Sequence, residues 1–458
     1  MNFYEYIDSL NKKRIAVIGA GVSNQPLIAL LCDHGCNVTV CDQRSEEDMG
    51  ELAVRLTEQG VQLHLGASYL EELDGFDMIF RTPGLLPLNP ALLKAKDAGV
   101  YITSEMELFF RFCPCKTIAI TGSDGKTTTS SVIAELLRAS GKTVHLGGNI
   151  GRPLLCDIPN MTKDDICVLE LSSFQLHSMY CKPDVAVVTN VSPNHLDVHP
   201  DFEDYIVSKK SVFLQQDENC RLVVNADNEI TNSFVAEAKA EVLRFSRNSV
   251  LADGVYYTDG KIMRGDEVVV YTDEIRIPGM HNVENYMAAY CAVSGMVDDE
   301  VFRTVARDFS GVQHRLELIR THKGVKYIND SIASSPTRAV AGLRSFKDTD
   351  SVILIAGGHD KHVPFDEMAD EVCKRCKALF LCGESALAIE AAVKASAFYT
   401  DAFPMFVYEN WTENVLEAAK YAVEGDTVLL SPACSSFDFF KNFAERGNLF
   451  RKIVMEFE

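Results

Sequence analysis

At 458 residues the chain is too long for one ordinary core, and about three domains are expected. Its 44 basic and 65 acidic residues leave a formal charge of −21, which argues against broad nucleic-acid binding over the surface. No run approaches the roughly 18 apolar residues that a membrane span requires, so membrane insertion is not expected either.

The opening stretch, MNFYEYIDSLNKKR, carries acidic residues ahead of its basic ones and lacks a small-residue cleavage site, so no secretory leader is expected. The 14 cysteines are scattered, with single ones on apolar runs (Cys32, Cys167, Cys382). The close pair Cys113 and Cys115 does not have metal-site spacing. Reduced, buried thiols in a cytoplasmic protein are the expectation.

RIAVIGAGVSNQPLIALLCDHGCNVTVCDQR reads as strand, glycine turn, helix and strand, a βαβ unit. Gly19 and Gly21 begin a dinucleotide-type fingerprint, but Asn24 stands where the third glycine belongs. Either this is a tight turn without a ligand, or a nucleotide diphosphate lies over the helix N-terminus with Ser23 donating to it. Asp42, at the end of the second strand, occupies the usual place of a carboxylate that holds a ribose hydroxyl. The missing glycine favours a ligand bulkier than NAD, or one placed differently. Strands at DMIFRTPG and VYITS follow, with the helix NPALLKAKDAG between them, and SEMELFFRF leads to a junction at CPCK.

The second segment begins with the strand KTIAI and runs through TGSDGKTTTSS into the helix VIAELLRAS. Backbone N–H groups of Gly122, Ser123, Asp124 and Gly125, together with Lys126, would cradle β- and γ-phosphates, and the Thr127 hydroxyl would reach Mg²⁺, with Thr128 beside it. The loop is tighter than the common phosphate loop, since Ile120 stands where an earlier glycine is usual. KTVHLGGNIG, DICVLELSS and DVAVVTNVS read as buried parallel strands. Glu170 interrupts the end of one of them, where an unpaired carboxylate is costly to bury and a Mg²⁺ partner would remove that cost. NVSPNHLDVH offers His195 and Asp197. DYIVSKKSVF puts Lys209 on a helix pointing back to the strand ends, although spacing alone leaves it an ordinary exposed lysine. Residues 250–277 read as a small antiparallel meander.

A third segment follows GVQHRLELI, with strands at VKYIND, SVILIAGG, ALFLCG and TVLLSPA. Arg315 is a candidate for phosphate charge, Asp330 for a ribose and Lys361 for a substrate carboxylate. LLSPACSSFDFFKNFAERG would capture an anion through backbone N–H groups and Ser436. The fold class expected is α/β: three consecutive α/β domains with mainly parallel sheets, Rossmann-like at both ends and phosphate-loop in the centre. Sites in such sheets collect at the carboxyl ends of the strands.

Taken in order, TGSDGKTTT, GGNIG, LELSSFQL, NVSPNHLD, HNVEN, GVQHRLE, YINDS and LLSPACSSFDFFKNFAERG resemble the Mur ligases from about residue 14 to about 450. The resemblance implies domains at 1–106 for a UDP-sugar, 107–312 for ATP and 313–458 for an amino acid. It implies a cytoplasmic, monomeric enzyme that uses ATP to join D-glutamate to UDP-N-acetylmuramoyl-L-alanine through an acyl phosphate. Gly21, Val22, Ser23, Asp42, Arg44 and Gly84 would hold the uridine diphosphate portion. Lys126 and Thr127 would serve ATP phosphates, Asn282 would face adenine, and Arg315 and Asp330 would meet phosphate and ribose. Thr127, Glu170, His195 and a carbamylated Lys209 would serve two Mg²⁺ ions, with Asn149 nearby. Lys361, Ser436 and Phe443 would receive the glutamate. Two departures, Ile332 after NDS and His359-Asp360 in AGGHDK, fall near the amino-acid site.

Overall fold

A computed structural model describes residues 1–21, 23–177, 179–195, 198–346, 351–360 and 363–457. The chain forms two compact units, Met1–Phe309 and Ser310–Glu458. The first unit contains two sheets and the second contains one, giving three α/β layers with mostly parallel strands.

The amino-terminal sheet has five parallel strands in the order Gln62–Leu65, Asn37–Asp42, Arg14–Ile18, Met78–Phe80, Tyr101–Thr103. The polarity of its two central strands explains their placement: in Arg14–Ile18 and Asn37–Asp42 only the first residue is exposed, as expected for strands covered on both faces. The helix Glu105–Phe112, capped by the Ser104 hydroxyl on the Glu107 N–H, then carries the chain to the next sheet.

The central sheet has nine strands. Val144–Gly148, Ile166–Glu170, Lys116–Thr121, Val185–Val188, Arg221–Asn225, Glu241–Ser246 and Gly254–Thr258 are neighbours in that order and run parallel. Lys261–Arg264 and Glu267–Tyr271 extend it as the expected antiparallel meander, which joins the large sheet instead of standing apart. Helices Lys126–Ala139 and Met280–Val293 cover one face, and the second is buried through most of its length. A second apolar cluster runs continuously from Ile15 and Val40, through Phe109, to Leu169 and Val188, joining the two sheets of this unit.

The second unit holds a six-stranded sheet ordered Glu317–His322, Val325–Asn329, Asp426–Leu430, Ser351–Ala356, Cys376–Cys382, Met405–Tyr408. Its first strand is antiparallel and the rest are parallel. The last three residues of GVQHRLELI, Glu317 to Ile319, therefore belong to an edge strand and not to a connection. The strand is only partly buried and mixes charged with apolar residues, a pattern that hydrophobic runs do not reveal.

Candidate active site

The strand Lys116–Thr121 ends in a turn that only glycine permits at two points. Gly122 has φ 147°, and a Cβ there would lie 1.9 Å from Thr189 Oγ1; Gly125 has φ 79°, and a Cβ there would lie 2.3 Å from Asn285 Oδ1. The helix Lys126–Ala139 that follows has no side-chain cap, so its first-turn N–H groups remain available to an anion. The turn is held from the neighbouring strand end. The Ser123 N–H donates to the Asn190 carbonyl (2.9 Å), the Asp124 N–H to Asn190 Oδ1 (2.9 Å), and the Thr189 hydroxyl to the Asp124 carbonyl (2.6 Å). Thr127 and Thr128 lie half-buried in the first turn.

Lys126 Nζ donates to the carbonyls of Gly122 and Ser123, both at 2.9 Å. Lys209 reaches the Gly122 oxygen from the other side, also at 2.9 Å, from the helix Phe202–Lys210 that Asp201 caps through the Asp204 N–H. Far from being an exposed lysine, it is 1% exposed and lies 4.5 Å from the Tyr205 ring centroid. Burial, reinforced by the charge of Lys126, holds its amine well below the ordinary lysine range. The Tyr205 hydroxyl in turn meets Ser123 Oγ at 3.0 Å.

Glu170 ends the strand Ile166–Glu170 at 2% exposure. Asn149 Nδ2 donates to its Oε1 at 2.9 Å, and the Asn149 N–H donates to its carbonyl at 2.7 Å. Glu170 Oε2 is buried and has no hydrogen-bond partner among the described residues. An orphaned carboxylate oxygen beside a phosphate loop fits a hard divalent cation such as Mg²⁺. His195, exposed and at φ 55°, packs against Phe174 with ring centroids 5.0 Å apart. Asp197 lies outside the described residues.

In the amino-terminal sheet, Asn24 replaces the missing glycine with a function of its own. Its side-chain amide donates to the carbonyls of Ile18 (3.0 Å) and Gly19 (2.9 Å), closing the turn. Gly21, Ser23 and Gly84 are exposed near it, and Val22 lies outside the described residues. Asp42 is committed to Arg44: Nε and Nη2 donate at 2.9 and 2.8 Å, the Ala20 N–H adds 2.9 Å, and the carboxyl is pulled down to about 2, chiefly by the Arg44 guanidinium. Asp42 thus orients Arg44 at the turn. A small pocket of about 20 Å³ between the two sheets of the first unit is lined by Ser23, Arg81, Ser104, Glu105, Gly148 and Gln175.

The other expected residues are distributed over both units. Asn282 donates to the Pro278 carbonyl (2.7 Å) and accepts from Asn285 Nδ2 (3.1 Å), while Asn285 Oδ1 accepts from the Thr129 hydroxyl (3.2 Å), a relay from the phosphate-loop helix. In the second unit Arg315 is exposed, whereas Asp330 is buried. Asp330 accepts from Ser431 Oγ (2.9 Å) and the Leu316 N–H (3.2 Å), and burial pushes its carboxyl up to about 7. Ser436 is 2% exposed, Phe443 begins the final helix, and Lys361 lies outside the described residues.

Three groups escaped the sequence reading. Arg446, 1% exposed, donates to Ser331 Oγ and to the carbonyls of Ser331, Cys434 and Ser435, tying the loops after two strands together. Arg81, at the end of Met78–Phe80, donates to the carbonyls of Leu85, Phe174 and His177, joining the two sheets of the first unit. His199 meets Asp204 at 2.6 Å and Ser173 at 3.0 Å, and so fixes the start of the helix that carries Lys209. An arginine after an apolar strand was the one visible signal for Arg81; the other two needed the tertiary contacts.

Comparison with known proteins bears directly on this geometry. Three family models match along the chain: the Mur ligase MurD-like N-terminal domain over residues 13–104, the Mur ligase middle domain over 120–293, and the Mur ligase glutamate ligase domain over 314–434. The chain is 48% identical over 453 residues to the UDP-N-acetylmuramoylalanine--D-glutamate ligase of Clostridium novyi, covering 99% of this chain and 98% of that protein. It is 46% identical over 457 residues to the protein of the same name in Clostridium acetobutylicum, covering 99% and 98%. Among solved structures, the UDP-N-acetylmuramate-alanine ligase of Thermotoga maritima matches with a TM-score of 0.57 at 16% identity, over 97% of this chain and 99% of that one, a likeness of fold.

Proposed function

Because the chain belongs to the Mur ligase family, we propose that it joins D-glutamate to UDP-N-acetylmuramoyl-L-alanine at the expense of ATP, in peptidoglycan precursor synthesis. The reaction type is carried by one observation: an uncapped helix N-terminus and Lys126 lie on strand ends adjoining an orphaned, buried Glu170 oxygen. The choice of amino acid rests on the relatives, 48% and 46% identical at full length. The domains are assigned as 1–106 for the UDP-sugar, 107–312 for ATP and 313–458 for the amino acid, in a monomeric, cytoplasmic enzyme.

In the first step a carboxylate oxygen of the alanyl group attacks the γ-phosphorus, the bond to the bridging oxygen breaks, and ADP leaves an acyl phosphate. The D-glutamate amine then attacks the acyl carbon, loses a proton, and expels phosphate. Both partners in the first step are anions. The uncapped first-turn N–H groups of the helix Lys126–Ala139 and the Lys126 ammonium therefore act by offsetting repulsion as charge moves onto the bridging oxygen. The Ser123 and Asp124 N–H groups meanwhile hold the loop to Asn190. Asn149 fixes the Glu170 carboxylate through Oε1 and leaves Oε2 directed elsewhere. Two Mg²⁺ ions would supply further charge neutralisation, held by Thr127, Glu170, His195 and Lys209. For Lys209 that role requires a carbamate, and its burial favours the neutral amine that reacts with CO₂.

Gly21, Val22, Ser23, Asp42, Arg44 and Gly84 are assigned to the uridine diphosphate. Asn282, Arg315 and Asp330 are assigned to adenine, phosphate and ribose, and Lys361, Ser436 and Phe443 to D-glutamate. The test is phosphate release from Mg-ATP and UDP-N-acetylmuramoyl-L-alanine with D-glutamate, L-glutamate or other amino acids, with the product weighed by mass spectrometry. Turnover with D-glutamate alone is expected. Turnover with another amino acid would retain the ligase and replace its substrate.

A further inference from the structure

Sequence spacing sets Cys113 and Cys115 aside as a metal pair, but the fold brings a third thiol to them. Cys113 follows the helix Glu105–Phe112, Cys115 precedes the strand Lys116–Thr121, and Cys167 is the second residue of Ile166–Glu170. The three sulfurs lie within 4.8 Å of one another, with Cys113 and Cys167 at 3.6 Å, and all three are free thiols. Cys115 is equally close to His145 and Asp165. His145 stands beside Cys167 in strand register, and its Nε2 lies 3.0 Å from Asp165, whose carboxylate is held by the Thr162 N–H (3.1 Å) and hydroxyl (3.0 Å).

Tetrahedral zinc with Zn–S bonds near 2.3 Å sets its thiolates about 3.8 Å apart, close to the Cys113–Cys167 separation. A histidine oriented by a carboxylate is the arrangement that zinc sites use around their ligands. Soft thiolates select against Mg²⁺. The cluster sits at the amino ends of the central strands, roughly 20 Å along a strand from the phosphate loop, so it is separate from the proposed Mg²⁺ ligands.

We propose that Cys113, Cys115 and Cys167 form a structural site for a thiophilic divalent cation of the Zn²⁺ class, with His145, held by Asp165 beside Cys115, as the nitrogen donor adjoining the three thiols. The cation would pin the connector between the two sheets of the first unit to the central sheet. Its binding releases the thiol protons and changes no oxidation state.

The full chain, freed of metal by chelation under reductant, would be titrated with Co²⁺ as a spectroscopic probe. One equivalent should develop a near-ultraviolet sulfur-to-cobalt charge-transfer band that Zn²⁺ displaces. Cys113→Ser and Cys167→Ser should each abolish the band, His145→Ala should weaken cobalt affinity about 10-fold, and Glu170→Gln should leave it intact. A measurement on the unaltered chain avoids any folding defect in the variants: Zn²⁺ should slow alkylation of Cys113, read by mass spectrometry. Absence of the band, its persistence in both serine variants, or Cys113 alkylation at equal rates with Zn²⁺ and with chelator would overturn the proposal. So would a Cys113–Cys167 disulfide that takes up no Co²⁺ after reduction.

Discussion

Lys126 and Lys209 converge on a single acceptor, each with Nζ 2.9 Å from the Gly122 carbonyl oxygen. One lysine comes from the phosphate-loop helix and the other from a helix some eighty residues later in the chain. Two cations on one oxygen repel, and the buried one yields, so the Lys209 amine is held well below its usual range by burial first and by Lys126 second. Under the proposed mechanism the pair would divide the labour, Lys126 serving phosphate and Lys209 presenting its amine to CO₂.

Lys209→Ala should lower phosphate release on the order of 100-fold or more. Short-chain carboxylates should restore part of that activity by supplying the missing oxygen ligand. Full activity in the variant, or no rescue by acetate or formate, would remove the carbamate from the mechanism.

Lys126→Met should reduce ligation on the order of 100- to 1,000-fold, the loss typical of removing one charge-stabilising group. UDP-N-acetylmuramoyl-L-alanine binding, followed by calorimetry, should stay within about twofold. Parallel loss of both would mean that the phosphate loop and the Ser23 turn do not serve separate ligands.

Glu170→Gln tests the orphaned oxygen. Without divalent cations the variant should match or exceed the parent in stability, by about 1–2 kcal/mol, because a buried carboxylate becomes a neutral amide whose Oε1 keeps the Asn149 bond. Mg²⁺ should raise the melting temperature of the parent and leave that of the variant unchanged. A variant that melts lower in EDTA would reveal a partner for Oε2.

Glu105 gives the pH dependence a sign. Burial pushes its carboxyl up to about 7, the Leu155 N–H offsetting only part of this. A folded-state pKa above the unfolded value near 4.5 means that the folded chain holds the proton more tightly. The stabilisation is therefore complete below about pH 4.5 and is lost as pH rises through about 7. Glu105→Gln should raise stability at pH 8 by about 3 kcal/mol and change little at pH 4, as read by urea unfolding. An equal effect at both pH values would locate the change in packing.

Arg446→Met should cost about 3–5 kcal/mol, since four buried acceptors on Ser331, Cys434 and Ser435 lose their donor. Urea unfolding measures it directly. A cost under about 1 kcal/mol would mean that water replaces the guanidinium.

From its residues alone, the chain declared an α/β fold with mostly parallel sheets, because β-branched apolar runs ending in glycine or hydroxyl residues have few other uses. The phosphate loop was equally legible, since strand, Gly122, Gly125, Lys126 and helix are contiguous and their geometry is local. Glu170 was legible as an anomaly, a carboxylate closing an apolar strand. Other features depend on residues far apart in the chain meeting across the sheet. Only tertiary structure could bury Lys209 against Tyr205 and Gly122, commit Asp42 to Arg44, let Asn24 close the turn in place of a glycine, and bring Cys167 to Cys113 and Cys115. The physical reason is common to all four. Burial and pairing determine whether a polar side chain is solvated, charged or committed to a partner, and neither is a property of spacing.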